Sequence, residues 1–352
     1  MPTTLRSYAK INLGLAIGPN RADGFHALTT LYQTVAAHDL VTVAAKPVSA
    51  GAARITLTCS DARVPSTATG EAERNTAYRV VARALALLDV SAEVAIHIEK
   101  RLPVQGGLGA GSANAAAALL GLEHELTRRA DWGARRLTGA QKLVLAAEIG
   151  SDVPLFFIGG SVLGVGRGEQ VYPMVDLPAT PCVLALPEVG VSTAEAFRDW
   201  DGLLAAGKVG SMGTELTRGE GSDRLYELSC ALASALCEPY SSGVLPLGQN
   251  LAKDSVLALV RAGIANDFEQ VVFGKHPSLG SIQRILAESP APEQSALYAA
   301  LSGSGSALFG LYSTEEAAVA AEHRLAEQGI RSLRTQTLPR EPYWSSMVLE
   351  SR

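Results

Sequence analysis

Val94, Ile96 and Ile98 alternate with Ala95, His97 and Glu99, and a period of two marks Val94–Lys100 as a half-buried strand. The same reading gives strands at Tyr8–Ile17, at Leu28–Ala45 with a break around His38–Asp39, and at Arg54–Cys59. Later strands fall at Ser161–Gly166, Cys182–Pro187, Ala307–Tyr312 and Ile330–Leu338. Helical spacing is clearest in Thr76–Leu88, where Ala77, Val80, Val81, Ala84, Leu85 and Leu88 form one stripe behind Asn75 as N-cap. Thr138 and Gln141 fit a capping box that opens a short helix closed by Gly150. Further helices begin at Thr193 and Asn266, cover Leu279–Glu288, and run over Glu315–Gln328 up to Gly329. Strands and helices mix without a regular βαβ repeat, which predicts an α+β protein with largely antiparallel sheets.

One stretch obeys neither period. Pro103–Ala118 carries Gly106, Gly107, Gly109 and Gly111 within six residues, which no ordinary helix or strand tolerates. Ser112 is a plausible N-cap, and Ala113–Leu122 is small, apolar and helix-favouring. A strand, a glycine loop and a helix N-terminus point N–H groups and a positive dipole end at one spot, which suits a polyphosphate; a flexible turn is the plainer reading. The P-loop pattern fails because no lysine follows the glycines, and the Rossmann spacing fails because Ser112 and Asn114 stand where its third glycine belongs.

Composition narrows the function classes. At 352 residues, 18 % charged and 47 % hydrophobic, the chain has room for two well-buried domains. A net charge of −5 with no Lys/Arg-rich run argues against nucleic acid as a partner. Cys59, Cys182, Cys230 and Cys237 show no metal-ligand spacing, and Trp132, Trp200 and Trp344 are too scattered for a stacking platform. His38, His97, His124, His276 and His323 form no cluster. The first residues lack a signal-peptide core and no apolar run approaches a membrane span, so a cytoplasmic protein without a membrane partner is expected. The span 201–253 turns to glycines and small polar residues around a helical island at Asp223–Cys237, and reads as an insertion.

A few polar groups stand out against this background. Lys10 and Asn12 share one face of an otherwise apolar strand, and a buried ammonium needs a carboxylate unless it snorkels to water. Asp152, just before Val153-Pro154, is the natural partner; a plain turn aspartate is the other reading. Phe25 beside His26 offers a nucleobase one ring to stack on and one to read an edge, although a turn histidine can simply be solvated. Ser302-Gly303-Ser304-Gly305-Ser306 is a second glycine loop, or else a hairpin turn.

The Pro103 and Gly-Leu-Gly pattern, preceded by an N-terminal strand and followed by a late glycine loop, resembles the GHMP small-molecule kinases. Ala9–Leu15, Arg21–His26, Thr30–Gln33, Lys100–Gly109, Ser151–Phe156 and Asn266–Glu269 resemble, more narrowly, the 4-diphosphocytidyl-2-C-methyl-D-erythritol kinase family. The resemblance covers about 1–200 and 254–312. It implies a two-domain fold: a ribosomal protein S5 domain 2-like ATP-binding domain over 1–165, and a ferredoxin-like domain over 166–352 that carries the insertion. It also implies ATP-dependent phosphorylation of the 2-hydroxyl of the CDP-linked methylerythritol, in the non-mevalonate isoprenoid route. Another GHMP kinase, or an inactive nucleotide-binding relative, is the alternative; monomer and homodimer are both open.

The family's roles fall on particular residues. Asp152 would be the general base, paired with Lys10. ATP would lie on Pro103, Val104, Gln105, Gly106, Gly107, Leu108, Gly109, Ala110, Gly111, Ser112 and Ala113, with Asn75 and Lys100 near the adenosine. Ala110 and Ala113 stand where relatives often carry Gly and Ser. Cytosine would bond His26 between Phe25 and Phe197, with Asn12, Tyr32 and Thr193 lining the site. Gly303, Ser304 and Gly305 would donate backbone N–H groups to the cleft. Mg²⁺ is implied by phosphoryl transfer and not by any ligand cluster; Ser112 is the candidate hydroxyl.

Overall fold

The structure, a computed structural model, describes residues 1–48, 53–128, 136–208, 256–260 and 263–349. In chain order, the first half holds β1 (Thr3–Asn20), β2 (His26–Pro47), β3 (Arg54–Cys59), α1 (Thr76–Leu88), β4 (Ala92–Glu99), α2 (Ala110–Thr127) and α3 (Gly139–Ile149). β5 (Ser161–Gly166), β6 (Gln170–Pro173), β7 (Pro181–Ala185) and α4 (Thr193–Ala205) follow. The remainder holds α5 (Phe268–Lys275), α6 (Pro277–Ala287), β8 (Tyr298–Leu301), β9 (Leu308–Leu311), α7 (Glu315–Glu327), β10 (Ser332–Gln336), α8 (Arg340–Ser345) and β11 (Val348–Leu349). Trp132, Cys230, Cys237, the island at Asp223–Cys237 and the insertion beyond residue 208 lie outside the described residues.

Local chemistry sets many of the boundaries. Asn75 Oδ1 accepts the Ala77 N–H and starts α1, and the capping box at Thr138 and Gln141 starts α3. β2 is continuous where a break was expected at His38–Asp39. The irregularity is a register shift: Tyr8 pairs with His38 but Ala9 with Val35, so Ala36 and Ala37 are unmatched. Extra residues on one strand are absorbed as a bulge, which bends a strand without ending it.

Among the described residues two sheets form. The first runs β11-β1-β2-β4-β3, with β5 on β2 and β6 on β5, antiparallel except for β3 on β4. α1 and α2 cover it through Val80, Val81, Ala84, Ala115, Leu119 and Leu122. The second sheet, β10-β7-β9-β8, is antiparallel, with the fourth-first-third-second strand order of a ferredoxin-like unit. Between the sheets lies a shared core in which Ala9, Ile11 and Leu13 of β1 pack with Leu184, Phe309 and Leu311. Lys10 and Asn12, on the opposite face by the period of two, are buried as well.

Two departures from the expected 165/166 division follow from strand pairing. β6, past that point, completes a hairpin with β5 in the first sheet. The last described residues also return there, where β11 pairs with β1 and Tyr343 enters the core beside Tyr8.

Candidate active site

The glycine loop and the start of α2 wall a cavity of about 510 Å³. Gln105, Gly106, Gly107 and Gly109 all have positive φ, which aligns the loop for an abrupt helix start. α2 begins at Ala110, with Gly109 (φ +68) in the N-cap position. Ser112 is therefore inside the first turn and not the cap; a left-handed glycine overrides the capping preference of serine. The first helical hydrogen bond runs from Ala113 N–H to Gly109 O, so the N–H groups of Ala110, Gly111 and Ser112 precede the ladder at the positive end of the helix. Ser112 lines the cavity, whereas Ala113 is 2 % exposed and packs into the core.

Lys100 and Asn75 line the same cavity, each also holding a structural bond. Asn75 caps α1, and the Lys100 ammonium pairs with buried Asp39. Asp39 also accepts the N–H groups of Arg101 and Leu102, each at 2.8 Å, and Nδ2–H of Asn114 at 3.2 Å. It is thus a hub that ties β2 to the entry of the glycine loop and to α2. The only hint of it in the sequence is a charge within a strand-like run.

On the other side of the loop, Lys10 Nζ lies 3.3 Å from Asp152 Oδ2. It donates to Asn12 Oδ1 at 2.6 Å, and Asn12 Nδ2 donates to Thr30 Oγ1 at 2.8 Å. Tyr32 OH donates to Asp152 Oδ1 at 3.0 Å. Burial, reinforced by the Asp152 charge, pushes the Tyr32 phenol well above its ordinary pKa, so it stays a donor. The pair thus has one carboxylate oxygen held by an ammonium and the other by a phenol. Lys10 is 3 % exposed and Asp152 30 %, so the carboxylate is the member that solvent reaches.

The two glycine loops meet at this point. Ala307 N–H donates to Gly106 O at 3.1 Å, and Ser302 Oγ–H to Gly107 O at 3.0 Å. Lys10 N–H donates to Leu108 O at 3.0 Å. The late loop is the β8–β9 hairpin connection and at the same time abuts the phosphate loop. Ser304 Oγ lies 2.7 Å from Thr193 Oγ1.

The expected base site is arranged differently from the sandwich drawn in the sequence. The His26 ring stacks on Phe197, centroids 4.7 Å apart and planes 10° from parallel, so His26 covers the ring that was to face Phe25. An imidazole is flat and fills the stacking position in the way a base does. Phe25 is 50 % exposed, with the Arg167 guanidinium 4.8 Å from its centroid. Asp201 Oδ1 lies 2.7 Å from His26 Nε2, one helical turn along α4 from Phe197. Sequence reading missed Asp201, which sits at the first position of the assumed insertion.

Comparison with known proteins bears on this arrangement. Residues 75–160 match the family model "GHMP kinases N terminal domain", and 250–331 match "GHMP kinases C terminal". The 4-diphosphocytidyl-2-C-methyl-D-erythritol kinase of Solibacter usitatus is 33 % identical over 329 residues, 92 % of this chain and 85 % of that one. The chain belongs to the 4-diphosphocytidyl-2-C-methyl-D-erythritol kinase family. The Moorella thermoacetica member is also 33 % identical, over 95 % of this chain and 99 % of its own. A crystal structure of 4-(cytidine 5'-diphospho)-2C-methyl-D-erythritol kinase superposes with a TM-score of 0.62 at 26 % identity, covering 95 % of this chain and 99 % of that one. The chain is accordingly an ATP-dependent small-molecule kinase of the GHMP fold. Among the described residues no helix is long and apolar enough to cross a membrane.

Proposed function

We propose that the chain phosphorylates the 2-hydroxyl of 4-diphosphocytidyl-2-C-methyl-D-erythritol with ATP, Asp152 acting as general base beside Lys10. The observation that carries this reading is the Lys10–Asp152 contact, in a chain whose glycine loop walls a cavity and whose His26 stacks on Phe197. The nucleotide's phosphates lie on the glycine loop, where the first N–H groups of α2 face their charge. The acceptor hydroxyl loses its proton as the phosphoryl group arrives, and the proton passes to Asp152. The Lys10 ammonium, 3.3 Å from Asp152 Oδ2, holds that carboxylate in place for this step. The cytidyl group lies toward His26, Phe25 and Phe197, with Asn12, Tyr32 and Thr193 along the acceptor.

Mg²⁺ would come with the nucleotide. Among the described residues no group of three or more His, Cys, Asp or Glu side chains could hold a metal. The protein offers the Ser112 hydroxyl at the helix N-terminus, and one such oxygen fits an ion held mainly by phosphates and water. When bound, the ion neutralises charge on the transferred phosphoryl group.

The test is ATP consumption with the cytidyl substrate beside galactose, homoserine and mevalonate. Turnover is expected with the first alone; turnover with another alcohol only, or with none, overturns the reading. Asp152→Asn should lower kcat by roughly 10²–10⁴-fold while ATP binding persists, the range of a positioned general base.

A further inference from the structure

The turn Asn266-Asp267-Phe268-Glu269 takes no part in the chemistry above, yet it gathers the segments that do. Asn266 is 2 % exposed. Its amide donates to Leu301 O and to Gly303 O, each at 2.8 Å, and its Oδ1 accepts the Phe268 N–H at 3.1 Å. The same turn is fastened to β1: Leu15 N–H donates to Ala265 O, Asp267 N–H to Leu15 O, and Ile17 N–H to Asp267 Oδ2. Glu269 Oε1 accepts the Leu301 N–H at 2.8 Å.

We infer that Asn266 is a positioning residue for phosphoryl transfer, clasping the late glycine loop from behind so that its front stays against Lys10 and the phosphate loop. That front is close. A β-carbon built on Gly303 would lie 3.4 Å from Asn12 Oδ1, 3.5 Å from Lys10 Nζ and 3.6 Å from Gly107 O. Gly303 and Gly305 both have positive φ and no side chain of their own, so at Gly303 the main-chain carbonyl is the handle, beside the Ser302 and Ser304 hydroxyls that brace the loop elsewhere. An asparagine amide reaches two of them at once, which neither aspartate nor alanine can do. Because β1 carries Lys10 and Asn12, one residue sets the distance between the acceptor side and the loop that touches the donor side. The inference rests on Lys10 and Asp152 being the reacting pair, and not on the cytidyl group.

Asn266→Ala and Asn266→Asp test it in the full chain, beside Tyr312→Phe, which removes a buried hydrogen bond to Leu286 O in the same domain. Misplacement by about 1 Å can cost on the order of 10²-fold, so kcat should fall at least ~30-fold in Asn266→Ala with both KM values within about threefold. Nucleotide stoichiometry by calorimetry should match the wild type, and amides 301–306 should exchange faster. Asn266→Asp should regain part of its kcat as pH falls, because a protonated carboxyl can again donate to one carbonyl. Tyr312→Phe should lower Tm and leave kcat alone. Asn266→Ala activity within about threefold of wild type, or a loss that merely tracks Tm as in Tyr312→Phe, overturns the inference. If the wild type turns over no acceptor, the reading of the reacting pair fails on its own, and the exchange rates decide: unchanged protection at 301–306 overturns the clasp.

Discussion

Glu269 is a carboxyl taken largely out of water, and burial raises its pKa from the ordinary 4.5 to about 7, against the pull of the Leu301 N–H and Gln283. A raised carboxyl pKa means that the folded state binds the proton more tightly than the unfolded chain does. Its stabilising contribution is complete below about 4.5 and is lost as pH rises through about 7. Glu269→Gln keeps an oxygen for the Leu301 N–H and cannot ionise. Urea midpoints measured from pH 5 to 8 should therefore fall more steeply in the wild type, by at most about 3 kcal/mol across the window. Parallel curves for the two proteins would sink this account. Lys10 could be singled out in the sequence because an ammonium in an apolar strand demands a partner, and Asp152 stands 3.3 Å away. Asp39 obeys the same logic, but its partners lie 61 and 75 positions along the chain, and periodicity says nothing about which distant residue arrives.

At the scale of elements, the candidate site is a contact between two loops, made at Gly106 and, most tightly, at Gly107. A β-carbon there would stand 2.0 Å from Ser302 O, on a backbone with φ +79. Gly107→Ala must separate the loops or twist the phosphate loop, and kcat/KM for ATP should fall by ~100-fold or more. Steady-state kinetics at saturating acceptor measure this; a value within threefold of wild type would mean that the loops need not touch. Both loops are visible in the sequence as glycine clusters, while their contact is not, because it joins residues 195 positions apart. The start of α2 was misplaced for a related reason: serine is a good cap by preference, but the dihedral angles of Gly109 decide where the helix begins. The His26–Phe197 stack was not legible, since the residue types alone do not say which flat ring takes an aromatic face.

For the molecule as a whole, period-two patterning located strands and not their order, because it shows which face is buried and not which edge is shared. The last described residues show this best: α8 places Tyr343, 1 % exposed, in the first core, its OH donating to Phe156 O at 2.6 Å. Removing residues 340–352 should cost about 3–5 kcal/mol or more, the scale of deleting one large buried aromatic. A thermal melt unchanged by the truncation would contradict it. β11 lies beside the start of β1, and Arg6 donates to Ser346 O across 340 positions of sequence. A ribosome must therefore emit almost the whole second domain before the edge of the first sheet can close. The strand that carries Lys10 gains the partner on its outer edge only once β11 has been made.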